Sequence, residues 1–175
     1  MKKIIALTIA LATVLSFAGC SKESENKAPE KETKEVSYQQ TLSAPELTGE
    51  LEEVKKKIAE ELKLEGTLDI VIDAACGIYA LDSIDIKDFA AFTMMEGTFP
   101  HEVVMVEAKD ADAAKRVEEA LGVKLEAFKE QSKGYSPEDY ALAEKCKVEV
   151  NGNHVALFLS PKCDEMKAVY EESIK

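Results

Sequence analysis

Two histidines, four cysteines and 34 carboxylates are where any chemistry in this 175-residue chain would start. His101 stands beside Glu102, and an imidazole next to a carboxylate can act as a general base or as the beginning of a metal site. With Thr98 and Phe99 they make residues 96–102 the candidate ligand cleft. The second histidine, His154, lies far away beside a turn and supplies no partner at metal-ligand spacing, so it reads as an exposed polar residue. Asp82, Asp85 and Asp88 share a short stretch but lack the central glycine and terminal bidentate glutamate of a calcium loop, which leaves a solvated turn as their reading. Single, scattered glycines give no phosphate-cradling loop. These residues predict no catalytic set, no metal and no cofactor.

Cys76, Cys146 and Cys163 remain once Cys20 is set aside, an odd number that permits one disulfide and one leftover thiol. A hairpin register that puts Cys146 opposite Leu157 or Leu159 leaves Cys163 several residues beyond the ideal partner, so their bond is not favoured. Cys76 and Cys163 fall on apolar stripes and read as buried thiols. A cysteine nucleophile at 76 or 146 served by His101 would make a thiol enzyme or hydrolase, but nothing in the spacing positions that pair.

Cys20 has a sharper context. Lys2 and Lys3 precede an uncharged run over residues 4–18 and then Gly19-Cys20. A basic start, an apolar middle and small residues at a cut site are the pattern of an export signal. As a helix the run would reach only about 22 Å, short of a hydrocarbon core of about 30 Å. Phe17-Ala18-Gly19-Cys20 resembles the bacterial lipobox, with phenylalanine where leucine is usual. By that resemblance residues 1–19 are a lipoprotein signal peptide, and Cys20 carries diacylglycerol as the first mature residue. Two acyl chains at one residue satisfy the requirement of stable anchoring for more than one chain. The chain offers no electrostatic substitute, because 22 basic residues against 34 acidic ones give a net charge of −12. That balance also argues against nucleic-acid binding, which needs clustered Lys and Arg. Arg116 is the only arginine and there is no tryptophan, so an aromatic- and arginine-rich hot spot is not expected either.

The elements that must position any site lie beyond a spacer. Residues 20–48 read as the lipidated cysteine and a flexible charged linker with four Lys and six Glu, reaching about 30 Å as a random coil. Residues 49–175 read as a single α+β domain. Leu51, Val54, Ile58 and Leu62 recur at helical spacing. Residues 68–81 are ambiguous: Val71, Ala74, Ala75, Ile78 and Tyr79 fit a buried helix, while the stretch from Leu68 to Asp73 could open as a strand. Residues 89–95 and 102–109 read as strands around a turn, the second buried at least partly on both faces. Asp110 caps a long helix with the stripe Ala114, Val117, Leu121, Leu125 and Phe128, ending near Gly134. Ser136-Pro137-Glu138-Asp139 starts a short helix. Val148 and Val150, Asn151-Gly152-Asn153, then Val155, Leu157 and Leu159 spell a β-hairpin, and a last helix follows Ser160-Pro161. The sum predicts a two-layer sandwich: a roughly four-stranded, mainly antiparallel sheet with helices mainly on one face.

Two ordered blocks carry a resemblance. Glu96-Gly-Thr-Phe-Pro-His-Glu-Val-Val-Met-Val-Glu-Ala-Lys-Asp110 runs into the long helix, and Gly134-Tyr-Ser-Pro-Glu138 precedes Val148, Gly152-Asn153-His-Val-Ala-Leu157 and Ser160. This order resembles the bacterial lipoproteins grouped as "domain of unknown function 4358", over roughly residues 50–172, with His101 and His154 where an acid and an aromatic would be expected. The resemblance implies lipid anchoring and an extracytoplasmic place; it implies no reaction, substrate or catalytic residue. The expectation is therefore a non-enzymatic lipoprotein on the outer face of the cell membrane, held by lipid on Cys20 and binding an unidentified envelope protein. The rival expectation is capture of a small ligand in the 96–102 cleft, with an extracytoplasmic thiol enzyme or hydrolase behind it.

Overall fold

Apolar spacing and helix-start signals place most of the elements. A computed structural model describes residues 46–96 and 99–175; for 95, 96, 99 and 100 only the backbone is described. Helix α1, Glu50–Glu61, turns Leu51, Val54 and Ile58 inward. The ambiguous segment contains both candidates in sequence: a two-residue edge strand β1, Leu68–Asp69, and then helix α2, Ile72–Tyr79. β2, Ile86–Glu96, and β3, Phe99–Ala108, form a long hairpin. Helix α3, Ala111–Tyr135, and α4, Pro137–Ala143, lead to β4, Val148–Asn151, β5, His154–Leu159, and α5, Cys163–Ser173.

The α+β sandwich stands, with an open antiparallel sheet in the order β1-β2-β3-β5-β4. It has five strands where about four were expected, because Leu68 and Asp69 pair with Thr93 and Phe92. The turn expected over 96–100 shrinks, since the β2–β3 ladder continues to Glu96↔Phe99. Pro100 is tolerated there because β3 meets β5 only from Glu102 onward, leaving a ribbon with one open side.

Helices cover both faces of the sheet, more fully than the expectation of helices mainly on one face, and in line with a second strand buried on both sides. Cross-strand partners share a face. Ala90, Phe92, Val103, Met105, Ala156 and Phe158 lie under α1 and α5, with Phe158 and Tyr170 edge to face at 5.4 Å. Phe89, Ala91, Val104, Val106, Val155 and Leu157 lie under α3, flanked by α2 and α4. Successive residues Val103 and Val104 are both fully buried. Strands without a polar face have to be sandwiched.

Side-chain caps fix the helix starts. Asp110 accepts the Ala113 N–H at 2.8 Å, and Ser136 accepts that of Asp139 at 3.3 Å ahead of Pro137. α1 has no cap of its own, since Gly49 precedes it with φ +82°. Asp88, fully buried on β2, does the work from across the fold, accepting N–H groups of Gly49 at 3.1 Å, Leu51 at 2.9 Å and Phe89 at 3.0 Å. Burial pushes the Asp88 carboxyl up, but these N–H groups and the Thr48 side chain outweigh it and hold it below the ordinary value. Asp85 takes a two-pronged bond from Arg116 (2.6 and 2.7 Å) and a salt bridge from Lys109 at 3.2 Å, which bring its carboxyl down to about 2. The solvated-turn reading of this stretch thus holds for exposed Asp82 alone; Asp85 and Asp88 are buried and bound.

Both lowered carboxyls contribute stability that is complete above the unfolded-chain value near 3.9 and is lost as pH falls through the folded values. Urea unfolding of the wild type should therefore weaken between about pH 4 and pH 2. Asp88→Asn should lose ~1–3 kcal/mol at pH 7 and flatten that acid limb; an unchanged acid limb would refute the cap's ionic role.

Candidate functional site

Of the residues of the 96–102 cleft, His101 and Glu102 have described side chains, and these lie on opposite faces of β3. Cys20 and Thr98 lie outside the described residues, and Phe99 is placed only as the first residue of β3. His101 is on β3, not in a loop, and is 2% exposed. Its Nδ1 lies 3.0 Å from Ser160 Oγ, which also accepts the Lys162 N–H at 3.1 Å. Glu102, the next residue, points to the opposite face, as strand alternation requires. There it accepts the Tyr79 hydroxyl at 3.2 Å and pairs with Lys124 at 3.3 Å, while the Lys124 ammonium sits 5.4 Å from the Tyr79 ring centre. Burial first, then the Glu102 charge, push the Tyr79 hydroxyl well above its usual range. One polar pair thus pins the end of β5, and the other joins α2 and α3 to β3. Each holds elements together.

The thiols follow similar logic. Cys146 and Cys163 are buried and Cys76 is half-buried; all three are free. Cys146 Sγ donates to the carbonyls of Leu142 at 3.5 Å and Ser160 at 3.7 Å, and burial pushes its thiol up to about 11. Among the described residues no group of three His, Cys, Asp or Glu gathers as a metal site. A groove of about 520 Å³ runs between α1 and α5 over Glu107 and His154, floored by Leu51, Val54 and Ile174. Smaller hollows of about 240 and 280 Å³ adjoin Arg116 and Lys55. His101 and Glu102 line none of these three.

The feature that sequence reasoning missed is α2. Val71, Ala74 and Ile78 were expected inside a buried helix and are exposed, Val71 at 66% and Ile78 at 50%. Only Ala75 and Tyr79, four residues apart, are fully turned inward. Leu68, on β1 three residues before Val71, is also exposed, at 65%. The signal was present: an eight-residue helix that is apolar nearly all round has more greasy surface than one neighbour can cover. Isolated exposed apolar residues are ordinary, whereas a contiguous stripe on one helix marks an interaction face.

Because a thiolate is the reacting species, the raised Cys146 thiol should resist iodoacetamide in the folded chain at pH 8 and react promptly in urea. Peptide mass spectrometry of the two samples reads this directly, and equal labelling in both would contradict its burial.

Strands β2 to β5 with α2, α3 and α4 are also the part that is shared with other proteins. The family model "Domain of unknown function (DUF4358)" matches residues 71–160, just over half of the chain, from the residue before α2 to Ser160. That is narrower than the expected 50–172, and leaves α1 and α5 outside. No curated protein and no solved structure matches the chain. The chain belongs to this family, whose defining segment holds the His101–Ser160 pair, the Glu102–Tyr79–Lys124 cluster and the exposed face of α2.

Proposed function

We propose that this protein is a lipid-tethered, non-enzymatic binding domain on the outer face of the cell membrane, and that it docks an envelope protein through α2. The observation that carries the binding role is the solvent-facing stripe of Val71, Ala74 and Ile78 along α2, inside the segment that the family model matches. The perturbed polar groups support the same reading. Asp85, Asp88, Tyr79 and Cys146 are each spent on holding elements together. Attachment rests on the sequence: the export pattern, Cys20 after Ala18-Gly19, and a charged linker that lets the domain search about 30 Å from its anchor. No helix among the described residues is long and apolar enough to cross a membrane, and in this reading Cys20 supplies the hold.

A second reading, small-ligand capture, draws on the α1–α5 groove, whose volume of about 520 Å³ falls among ordinary ligand pockets. It moves the expected cleft away from residues 96–102. Native mass spectrometry of the protein isolated from membranes decides it: a bound metabolite of constant mass favours capture.

Cys20→Ser should shift the protein from the membrane fraction to the medium, and the native N-terminal peptide should carry the mass of a diacylglycerol thioether. A photo-crosslinker at position 78 should trap a protein on intact cells, and one at position 165, on α5, should not. Equal trapping at both positions would overturn docking through α2.

A further inference from the structure

The stretch around α2 has an unusual charge balance. Between Lys63 and Lys87 the chain holds five acids, Glu65, Asp69, Asp73, Asp82 and Asp85, and not one basic residue. Asp73 lies on α2 itself, one residue before Ala74, and Asp82 comes three residues after the helix ends. Asp73 and Asp82, both exposed, act together on the Cys76 thiol in the middle of the helix. Asp69 lies one residue beyond Leu68. Asp85 is satisfied by Arg116 and Lys109, and Asp69 by Lys55 at 2.7 Å. Among the described residues no ion pair uses Glu65, Asp73 or Asp82. Lys124, whose ammonium lies over the Tyr79 ring, is held by Glu102. The stripe thus lies beside two exposed acids that make no ion pair among the described residues; Asp82 shares a hollow with Lys109 and Arg116, both of which are taken by Asp85.

Gly77 adds an independent mark. It sits inside α2, where glycine costs about 1 kcal/mol relative to alanine. A Cβ there would meet nothing within 4 Å, so no packing inside this domain calls for glycine. A bare backbone beside Ala74 and Ile78 lets another chain approach closely.

We propose that α2 receives a cationic amphipathic helix of another protein, its apolar stripe lying along Val71, Ala74 and Ile78 and its Lys or Arg residues facing Asp73 and Asp82. This rests on docking through α2 and adds the chemistry of the partner. Charge complementarity selects among occupants. A second copy of this chain would set the same acids against each other. An anionic bilayer would repel them. A basic amphipathic helix laid along α2 meets both the apolar strip and the acids beside it.

The test uses the full chain in phosphatidylcholine nanodiscs and fluorescent synthetic helices with a leucine stripe at i, i+4 and i+7, flanked by lysine in one peptide and by glutamate in the other. Anisotropy should report binding of the lysine helix, weakening with salt, and none of the glutamate helix. Val71→Ser with Ile78→Ser should weaken it by about tenfold or more; serine at position 71 is a good N-cap, so α2 keeps its fold. Asp73→Asn with Asp82→Asn should weaken it several-fold and flatten the salt dependence. Asp164→Asn with Glu165→Gln, on α5 across the sheet, should leave it within about twofold, the size of an ordinary surface change. Equal binding of both helices, or equal loss from the α5 pair, overturns the proposal, the latter because net charge alone would then be acting. Binding of phosphatidylglycerol vesicles or concentration-dependent self-association that the Val71/Ile78 pair abolishes also overturns it, in favour of lipid or a second copy. If position 78 still traps a protein on cells while the lysine helix fails to bind, docking stands and the cationic partner falls. If the Val71/Ile78 pair changes neither readout, both fall.

Discussion

The carboxylate of Asp88 settles where α1 begins. A helix start leaves N–H groups without partners and gathers partial positive charge. In α1 that end lies against the sheet, and Gly49 has no side chain to serve it. Asp88, 37 residues from Leu51, brings a full negative charge to the spot and is repaid in three N–H bonds. α1 in turn supports α5, through Lys57 and Ser173 at 3.4 Å, and together they roof the face that carries Phe92, Met105 and Phe158. Burying a carboxylate in such a place is costly unless every lone pair is used. Here the use of those lone pairs is what joins strand to helix.

A division of labour follows from the layers. The family-defining segment contains all of the sheet except β1, together with α2, α3 and α4, while α1 and α5 complete the opposite face from outside it. The His101–Ser160 contact lies at the boundary, its serine the last matched residue. Asp85 and Arg116 clamp the start of β2 to α3 within the segment. Asp88 instead reaches beyond the segment to α1. Polar bonds at the start of β2 thus tie a greasy sheet to each of its two helical layers.

What could be read from the sequence was local. The Asp110 and Ser136 caps, the α3 stripe and the hairpin through Asn151-Gly152-Asn153 each depend on residues a few positions apart, and each forms where the pattern put it. The family resemblance was legible for the same reason, in ordered blocks of neighbours. The errors fall where the deciding partner is distant. Asp85 and Asp88 looked solvated because Arg116 and Leu51 are 31 and 37 positions away. Pro100 looked like a turn because nothing local reveals that β3 has only one neighbour there. His101 and Glu102 looked like one site until strand pairing sent them to opposite faces. α2 misled differently: its period is helical and its residues apolar, and only the count of available neighbours tells which side stays wet.

That wet side and the lipid at Cys20 make sense together in the proposed reading. Leu68, Val71 and Ile78 are each about half to two-thirds exposed. Fully burying one such side chain is worth ~1.5–3 kcal/mol, so covering what remains of three yields roughly 3–5 kcal/mol before any other contact. Association between free molecules costs about 4–15 kcal/mol in lost freedom. A surface this small therefore makes a poor dimer in dilute solution. Confinement changes the balance, because two molecules held at one membrane meet at a high effective concentration fixed by the reach of the linker. A weak face then suffices, and weakness has its own use: an apolar strip that bound tightly to any free partner would also promote aggregation. The acids beside it serve the same end. They repel other copies and anionic headgroups, leaving the stripe for a partner that brings the opposite charge.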